Sequence, residues 1–256
     1  MPEALITGAS SGIGAAFTRR LARDGYDLVL LGRDRGRLDA TAERLGPAAK
    51  TSVLVADLAT DDGIAAAAER AGSVDLLVNN AGFGNPAPFT TAPLDDELRM
   101  LRVHCEAVLR LTSAAISGMT GRETTGGRRR GVINVSSVSA FTGRGSYGAT
   151  KAWEVSFSLG VDADLRSAGR REHVMALCPG FTRTEFHQRA GMNVTDVPRF
   201  MWLNADRVAG DAMRDFDRGV AVSIPGAQYK VLLALARLAP PALAARLGSR
   251  TGRRYD

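Results

Sequence analysis

The sequence predicts an α/β protein built on one doubly wound, mainly seven-stranded parallel sheet with helices on both faces. Three observations carry this. Short apolar runs alternate with longer helical patterns along most of the 256 residues. The runs are continuous in Val, Ile and Leu rather than alternating, as strands buried on both faces require. The first run leads through a glycine-rich turn into a helix. Regular strand–helix alternation demands right-handed crossovers, and these build a parallel sheet.

In chain order, the apolar run at 5–7 is the first strand, and 13–24 has helical period behind the glycines. The second strand is expected over 27–31. A helix over 35–45 follows Asp34, a residue suited to cap it. Residues 51–56 make a third strand and 61–71 an alanine-rich helix. The fourth strand over 74–78 precedes a loop and one long helix from about 95 to 119. The remaining strands fall at 131–136, 173–178 and 220–224, with helices from about 147 to 167 and over 205–218. No Pro/Ser-rich linker and no fixed-period repeat interrupts this order, so a single domain over 1–256 is expected. Residues 228–256 form its C-terminal extension. The stretch 228–247 is apolar and basic, is split by Pro240-Pro241, and reads as two short helices outside the sheet.

Composition narrows the class. With 45% hydrophobic residues the chain can bury a full core, roughly three quarters of its unfolded surface at this size. Charge at 23% and 28 glycines exclude disordered, collagen-like and coiled-coil chains. No run of apolar residues is long enough to span a bilayer. The N-terminal segment lacks the basic start and apolar stretch of a signal peptide. Cys105 and Cys178 offer no disulfide framework and fit a reducing cytoplasm. The three histidines and two cysteines show no metal-ligand spacing.

The net charge of +6 comes almost wholly from arginine. Arg128-Arg129-Arg130 lies between glycines with no interleaved aromatics, so it reads as a solvated loop rather than a nucleic-acid patch. Only three lysines occur, which makes a lysine inside a motif informative.

Four stretches carry chemistry. The first is Gly8-Ala9-Ser10-Ser11-Gly12-Ile13-Gly14, between strand and helix. Its glycines allow a tight turn and a close approach to a pyrophosphate, for which the helix N-terminus supplies N–H groups. The second is the tip of the second strand, Gly32-Arg33-Asp34. A guanidinium at Arg33 suits a 2′-phosphate and favours NADP over NAD, whereas Asp34 either holds a ribose hydroxyl or caps the next helix. The third is Asn79-Asn80-Ala81-Gly82, a small polar turn at the carboxyl end of the fourth strand.

The fourth is Tyr147 and Lys151, one helical turn apart on one face. Composition alone would give about 0.05 such pairs. A phenol with an ordinary pKa of about 10 is a poor catalyst at neutral pH, and a neighbouring ammonium favours its anion. Upstream, Ser136-Ser137 offers a hydroxyl at the same sheet edge.

These motifs, together with Asp57-Leu58 after the third strand and Cys178-Pro179-Gly180 followed by Thr184, stand in an order that resembles the short-chain dehydrogenase/reductase family over nearly the whole chain. The resemblance implies a Rossmann-type fold. It also implies hydride transfer between a nicotinamide cofactor and a ketone, aldehyde or alcohol. It makes Tyr147 the proton donor, Lys151 the ligand of the nicotinamide ribose, and a serine the hydrogen-bond donor to the carbonyl. It places Gly8, Ser10, Ser11, Gly12, Ile13, Gly14, Arg33, Asp57, Leu58, Asn80, Ala81, Gly82, Pro179, Gly180 and Thr184 along the cofactor.

The chain departs from the family pattern in two ways. The family spaces its serine 13 residues before the tyrosine; here that position is Asn134, and Ser137 lies 10 before Tyr147. Strand-end placement favours Ser137, with Ser136 second. Where the family has an asparagine that anchors a relay water, this chain has His104. That residue either takes over the relay or packs the helix. Phe83, Phe141, Phe186, Met192, Val197, Phe200, Met201, Trp202 and Leu203 are the expected apolar substrate side.

The sequence therefore points to an NADP(H)-dependent carbonyl reductase or alcohol dehydrogenase acting on a small, apolar molecule, in a homodimer or homotetramer. A 3-oxoacyl-thioester reductase is the alternative among enzymes. An idle nucleotide-binding scaffold, or a membrane-surface protein using its tail, are the alternatives outside them.

Overall fold

The computed structural model describes residues 1–85, 87–122, 128–142, 145–186, 195 and 197–238. Seven parallel strands form one sheet: β1 (Glu3–Thr7), β2 (Asp27–Gly32), β3 (Thr51–Val55), β4 (Leu76–Asn79), β5 (Gly131–Val135), β6 (His173–Leu177) and β7 (Val222–Ser223). Their order is β3-β2-β1-β4-β5-β6-β7. The chain winds outward from β1 to β3, then crosses over to β4 and winds the other way. The crevice at that switch, beyond the carboxyl ends of β1 and β4, is where such sheets bind ligands.

Successive strand side chains enter opposite faces. Ala4, Ile6, Leu28, Leu30, Ile133 and Met175 pack against Phe17 and Leu21 of α1 (Gly12–Arg23), Leu38 of α2 (Arg35–Leu45) and Phe216 of α7 (Ala205–Asp217). Leu5, Val29, Leu31, Leu77, Val132 and Val174 face the other way, onto Ile64 of α3 (Asp61–Ala71), Leu111 and Ile116 of α5 (Val108–Met119), and Leu165 of α6 (Gly145–Ser167). Continuous apolar runs are thus needed because both faces are covered. Asp34 caps α2, its Oδ1 accepting the Arg37 N–H at 3.0 Å.

The structure corrects the expected elements in two places. The single helix from about 95 to 119 is instead α4 (Leu94–Leu101), a π-helical turn over Arg102–Ala107, and α5. Period reading cannot see one extra residue in a turn when apolar side chains continue on both sides of it. The tail is not wholly outside the core either. One helix, α8 (Ala227–Leu238), occupies its first part, and Tyr229 is fully buried. Pro240-Pro241 and the remainder of the extension lie outside the described residues. Among the described residues, no helix is long and apolar enough to cross a membrane.

Tyr229 pins the loops beyond β6. Its hydroxyl accepts the Phe181 N–H at 2.8 Å and donates to the Met201 carbonyl at 2.7 Å. Its ring lies so close beneath Gly180 that a Cβ there would come within 1.9 Å of it. Tyr229→Phe would remove both hydrogen bonds from a part-buried site. It should lower unfolding stability by about 1–2 kcal/mol, read by urea denaturation; an unchanged midpoint would show that the pin contributes nothing.

Candidate active site

The glycine turn is shaped by backbone conformation and by crowding. Gly8 and Gly12 have φ of +66° and +55°, a region in which other residues are strained. Gly14 has no such φ, but a Cβ there would sit 2.2 Å from the Gly8 carbonyl oxygen, so it lets the first turn of α1 close over the loop. Ser11 is the N-cap of α1, Ser10 lies in the turn before it, and Ile13 packs on the core. The first N–H groups of α1 have no carbonyl within the helix and face the crevice as an anion site.

Thr7 and Asn80 tie this loop to β4. Thr7 Oγ1 accepts the N–H groups of Asn80 and Ala81, each at 2.9 Å. Asn80 Nδ2 donates to the Thr7 carbonyl at 2.9 Å. The Asn80 side chain therefore braces the glycine turn. Thr184 lies across the same turn, where a Cβ on Gly12 would meet its side chain at 3.2 Å. Pro179 and Gly180 stand beside the Ser137 loop, the Pro179 carbonyl accepting the Val138 N–H at 3.0 Å. Gly82 is equally constrained, since a Cβ there would come 2.9 Å from His104 Nε2.

At the outer end, Arg33 closes β2 and is 65% exposed, 4.0 Å from Asp57 Oδ2. The same Asp57 oxygen takes Arg99 at 3.3 Å, and its Oδ1 accepts the Ala59 N–H at 3.0 Å. Leu58 is buried behind it. A turn with left-handed glycines, a helix N-terminus and an outlying guanidinium along one carboxyl edge would suit a dinucleotide.

The reacting end lies on β5 and α6. Ser136 and Ser137 separate cleanly. Ser136 is buried, and its Oγ donates to the Lys151 carbonyl at 2.7 Å. Ser137 instead lies close enough to the Tyr147 phenol to lower its pKa, and its Oγ accepts the Ser139 N–H at 3.1 Å. Asn134, at the family's usual serine spacing, points into the core. It accepts from Asn79 Nδ2 at 2.9 Å and donates to Ser158 Oγ at 2.9 Å. The short loop after Ser137 thus places the hydroxyl at position 137 against the phenol.

Lys151 Nζ lies 5.9 Å from the centre of the Tyr147 ring and donates to the Val135 carbonyl at 3.0 Å. It also meets Glu154, a partner that the sequence reading missed, although a Lys-x-x-Glu spacing on one helix face was there to be seen. Burial raises the Tyr147 phenol above its ordinary value. Lys151 opposes this, Glu154 adds to it, and the neighbouring Ser137 opposes it. The expected acidification by Lys151 is therefore outweighed in the protein alone.

His104 is fully buried in the π-helical turn. Its Nε2 accepts the Phe83 N–H at 3.1 Å. Its Nδ1 lies 2.9 Å from Thr150 Oγ1, whose own proton goes to the Tyr147 carbonyl at 2.9 Å, so Nδ1 carries the ring proton and donates. Burial, reinforced by Lys151, holds its pKa well below the usual range, and the ring is neutral. Both nitrogens bond protein, so the imidazole offers no atom to a relay water.

Of the expected substrate side, Phe186 stands against Tyr147 with ring centres 6.0 Å apart, and Phe83 packs edge-on to His104. Phe141 is half-buried and packs with Val155, Ala176 and Cys178. Leu203 and Met201 belong to the core, Trp202 packs on Phe181 and donates to the Val197 carbonyl, and Phe200 is 70% exposed. Met192 lies outside the described residues.

Residues 2–194 match the short chain dehydrogenase family. The chain is 35% identical over 188 residues to a serine 3-dehydrogenase of Agrobacterium fabrum, covering 71% of this chain and 72% of that one. A short-chain dehydrogenase from Sphingobium yanoikuyae in complex with NADPH has a similar structure, with TM-score 0.78, 34% identity and coverage of 93% and 94%. A short-chain dehydrogenase/reductase from Burkholderia phymatum in complex with NAD superposes with TM-score 0.80 at 25% identity, covering 93% of each chain. The protein belongs to the short-chain dehydrogenase family, whose members are oxidoreductases of alcohol and carbonyl groups.

The neutral His104 gives a pH test. Its folded pKa lies below its unfolded value, so the unfolded chain binds the extra proton and stability falls as pH drops below about 6.5. Relative to His104→Gln, the wild type should lose up to about 1.4 kcal/mol per pH unit between pH 6 and 5. Urea titrations at several pH values measure this; parallel curves for the two proteins would mean that His104 is already protonated when folded.

Proposed function

We propose that the protein is an NADP(H)-dependent carbonyl reductase or alcohol dehydrogenase acting on an apolar substrate. The observation that carries this reading is the convergence of Ser137, Tyr147 and Lys151 on the carboxyl edge that also holds the glycine turn. When bound, the cofactor supplies hydride to the carbonyl carbon. Tyr147, beside Ser137, gives its hydroxyl proton to the carbonyl oxygen as negative charge develops there. Ser137 orients that oxygen. Lys151 supplies the cation that stabilises the phenolate left behind. His104, braced between Phe83 and Thr150, positions the segment that carries Tyr147 rather than moving protons itself. Phe186 supplies an apolar wall beside the tyrosine, and Phe83 packs on the far side of His104.

NADP preference rests on Arg33 at the tip of β2, with Asp34 committed to capping α2. The direct test is turnover of a panel of ketones, aldehydes and alcohols with both NADPH and NADH, with thioester-linked 3-oxoacyl substrates included. Absence of turnover on every carbonyl would overturn the reading.

Two sets of variants test the assignments. Tyr147→Phe should lower kcat by at least about 10²-fold with NADPH affinity nearly unchanged. Ser137→Ala should lower kcat, whereas Ser136→Ala should lower Tm, since only the latter removes the buried hydrogen bond to the Lys151 carbonyl. A larger kcat loss for Ser136→Ala reverses that assignment. Arg33→Ala should weaken NADP binding by about 1.5 kcal/mol, the low end for a charge-assisted hydrogen bond, because the side chain is 65% exposed. Calorimetric titration with both cofactors checks it; an equal loss for NAD would make Arg33 structural.

A further inference from the structure

Lys151 and Glu154 form a buried ion pair inside the reacting site, with side chains 5% and 2% exposed. The ammonium has three protons and three protein acceptors. These are the Val135 carbonyl at 3.0 Å and the two Glu154 oxygens at 2.9 and 3.1 Å. A carbonyl alone would orient the lysine. The bidentate carboxylate does something more, because it sets an opposite charge against the one cation that the Tyr147 chemistry uses.

We propose that Glu154 is a positioning residue of this site: it claims the Lys151 ammonium, cancels much of the field that Lys151 exerts on the Tyr147 ring, and so reserves Tyr147 as an acid for carbonyl reduction. This rests on the function proposed above, with Tyr147 as the proton donor.

The surroundings leave Glu154 no competitor. From the π-helical turn, His104 is neutral, and burial pushes the Cys105 thiol up to about 11. From the end of β6, burial pushes the Cys178 thiol up to about 12. From the end of β5, Ser136 and Ser137 present only hydroxyls. From α6 itself come Tyr147, Lys151 and Glu154. Among the described residues, the ionised groups that act on the Tyr147 phenol are Lys151, which favours its anion, and Glu154, which disfavours it. Glu154 raises the lysine, so Lys151 stays charged; burial raises the Glu154 carboxyl itself, which Lys151 opposes. The pair is ionised at mildly alkaline pH, where alcohol oxidation needs a phenolate and reduction needs a phenol.

Glu154→Gln keeps the shape and one acceptor for Lys151 but removes the charge. The phenol can be titrated directly, without turnover, by NMR of the full-length protein labelled with ¹³Cζ-tyrosine, with Tyr147→Phe identifying the resonance. In Glu154→Gln it should ionise about one pH unit lower or more, and the acidic limb of kcat/KM for alcohol oxidation should move down with it. Glu154→Asp, which keeps the charge, should titrate closer to wild type than the Gln variant does. A Tyr147 titration unchanged in a folded Glu154→Gln protein overturns the proposal. So does a Glu154→Asp shift as large as that of Gln, or a wild-type phenol that already ionises well below the ordinary 10 without cofactor. If no carbonyl substrate is turned over, the proposed function fails while the phenol titration still decides the role of Glu154.

Discussion

The parallel register of β1, β4, β5 and β6 is the constraint on which the site depends. Hydrogen bonding pairs Ile6 with Val78, Val78 with Ile133, and Ile133 with Met175, so the four strands end at one level. Much of the site follows directly after those ends: Gly8 after β1, Asn80 after β4, Ser136 and Ser137 after β5, Pro179 and Gly180 after β6, with Tyr147 and Lys151 supplied by α6. A parallel sheet needs a crossover helix between strands. Those helices return the chain to the opposite edge each time, so the carboxyl edge is left to short loops. Side-chain hydrogen bonds then join the loops laterally, as where Thr7 receives the N–H groups of Asn80 and Ala81.

Burial is what makes the reacting residues interdependent. Lys151, Glu154, His104 and Ser136 are all buried, and each has its polar atoms paired. In a low-dielectric setting an unpaired polar group is costly, so such a network holds one arrangement. It also fixes the direction in which each group titrates. The histidine is kept neutral by burial and by the lysine, whereas the lysine is kept charged by the glutamate. The phenol sits at the rim of this cluster and feels both ions.

The seven strands, their parallel order and the major helices were legible because they rest on local pattern. Buried strands flanked by helices are apolar throughout, and a left-handed turn selects glycine. Gly8, Gly12 and the Tyr147–Lys151 pair could be found in the same way, since each is a short-range spacing with a mechanical reason. The Asp34 cap was legible for that reason too.

Contacts between distant segments were decided only in the folded molecule. Whether position 134, 136 or 137 faces Tyr147 depends on how a shortened loop leaves β5, and the packing turns Asn134 toward Asn79 and Ser158. Whether His104 binds water depends on Phe83 and Thr150, 21 and 46 residues away. That Tyr229 enters the core follows from the space above it at Gly180. The direction of the Tyr147 shift reverses because burial, a tertiary quantity, outweighs a neighbouring charge that the spacing alone reveals. Local spacing specifies which groups can meet along one element. Desolvation and cross-element hydrogen bonds, which determine what those groups do, exist only after the chain has packed.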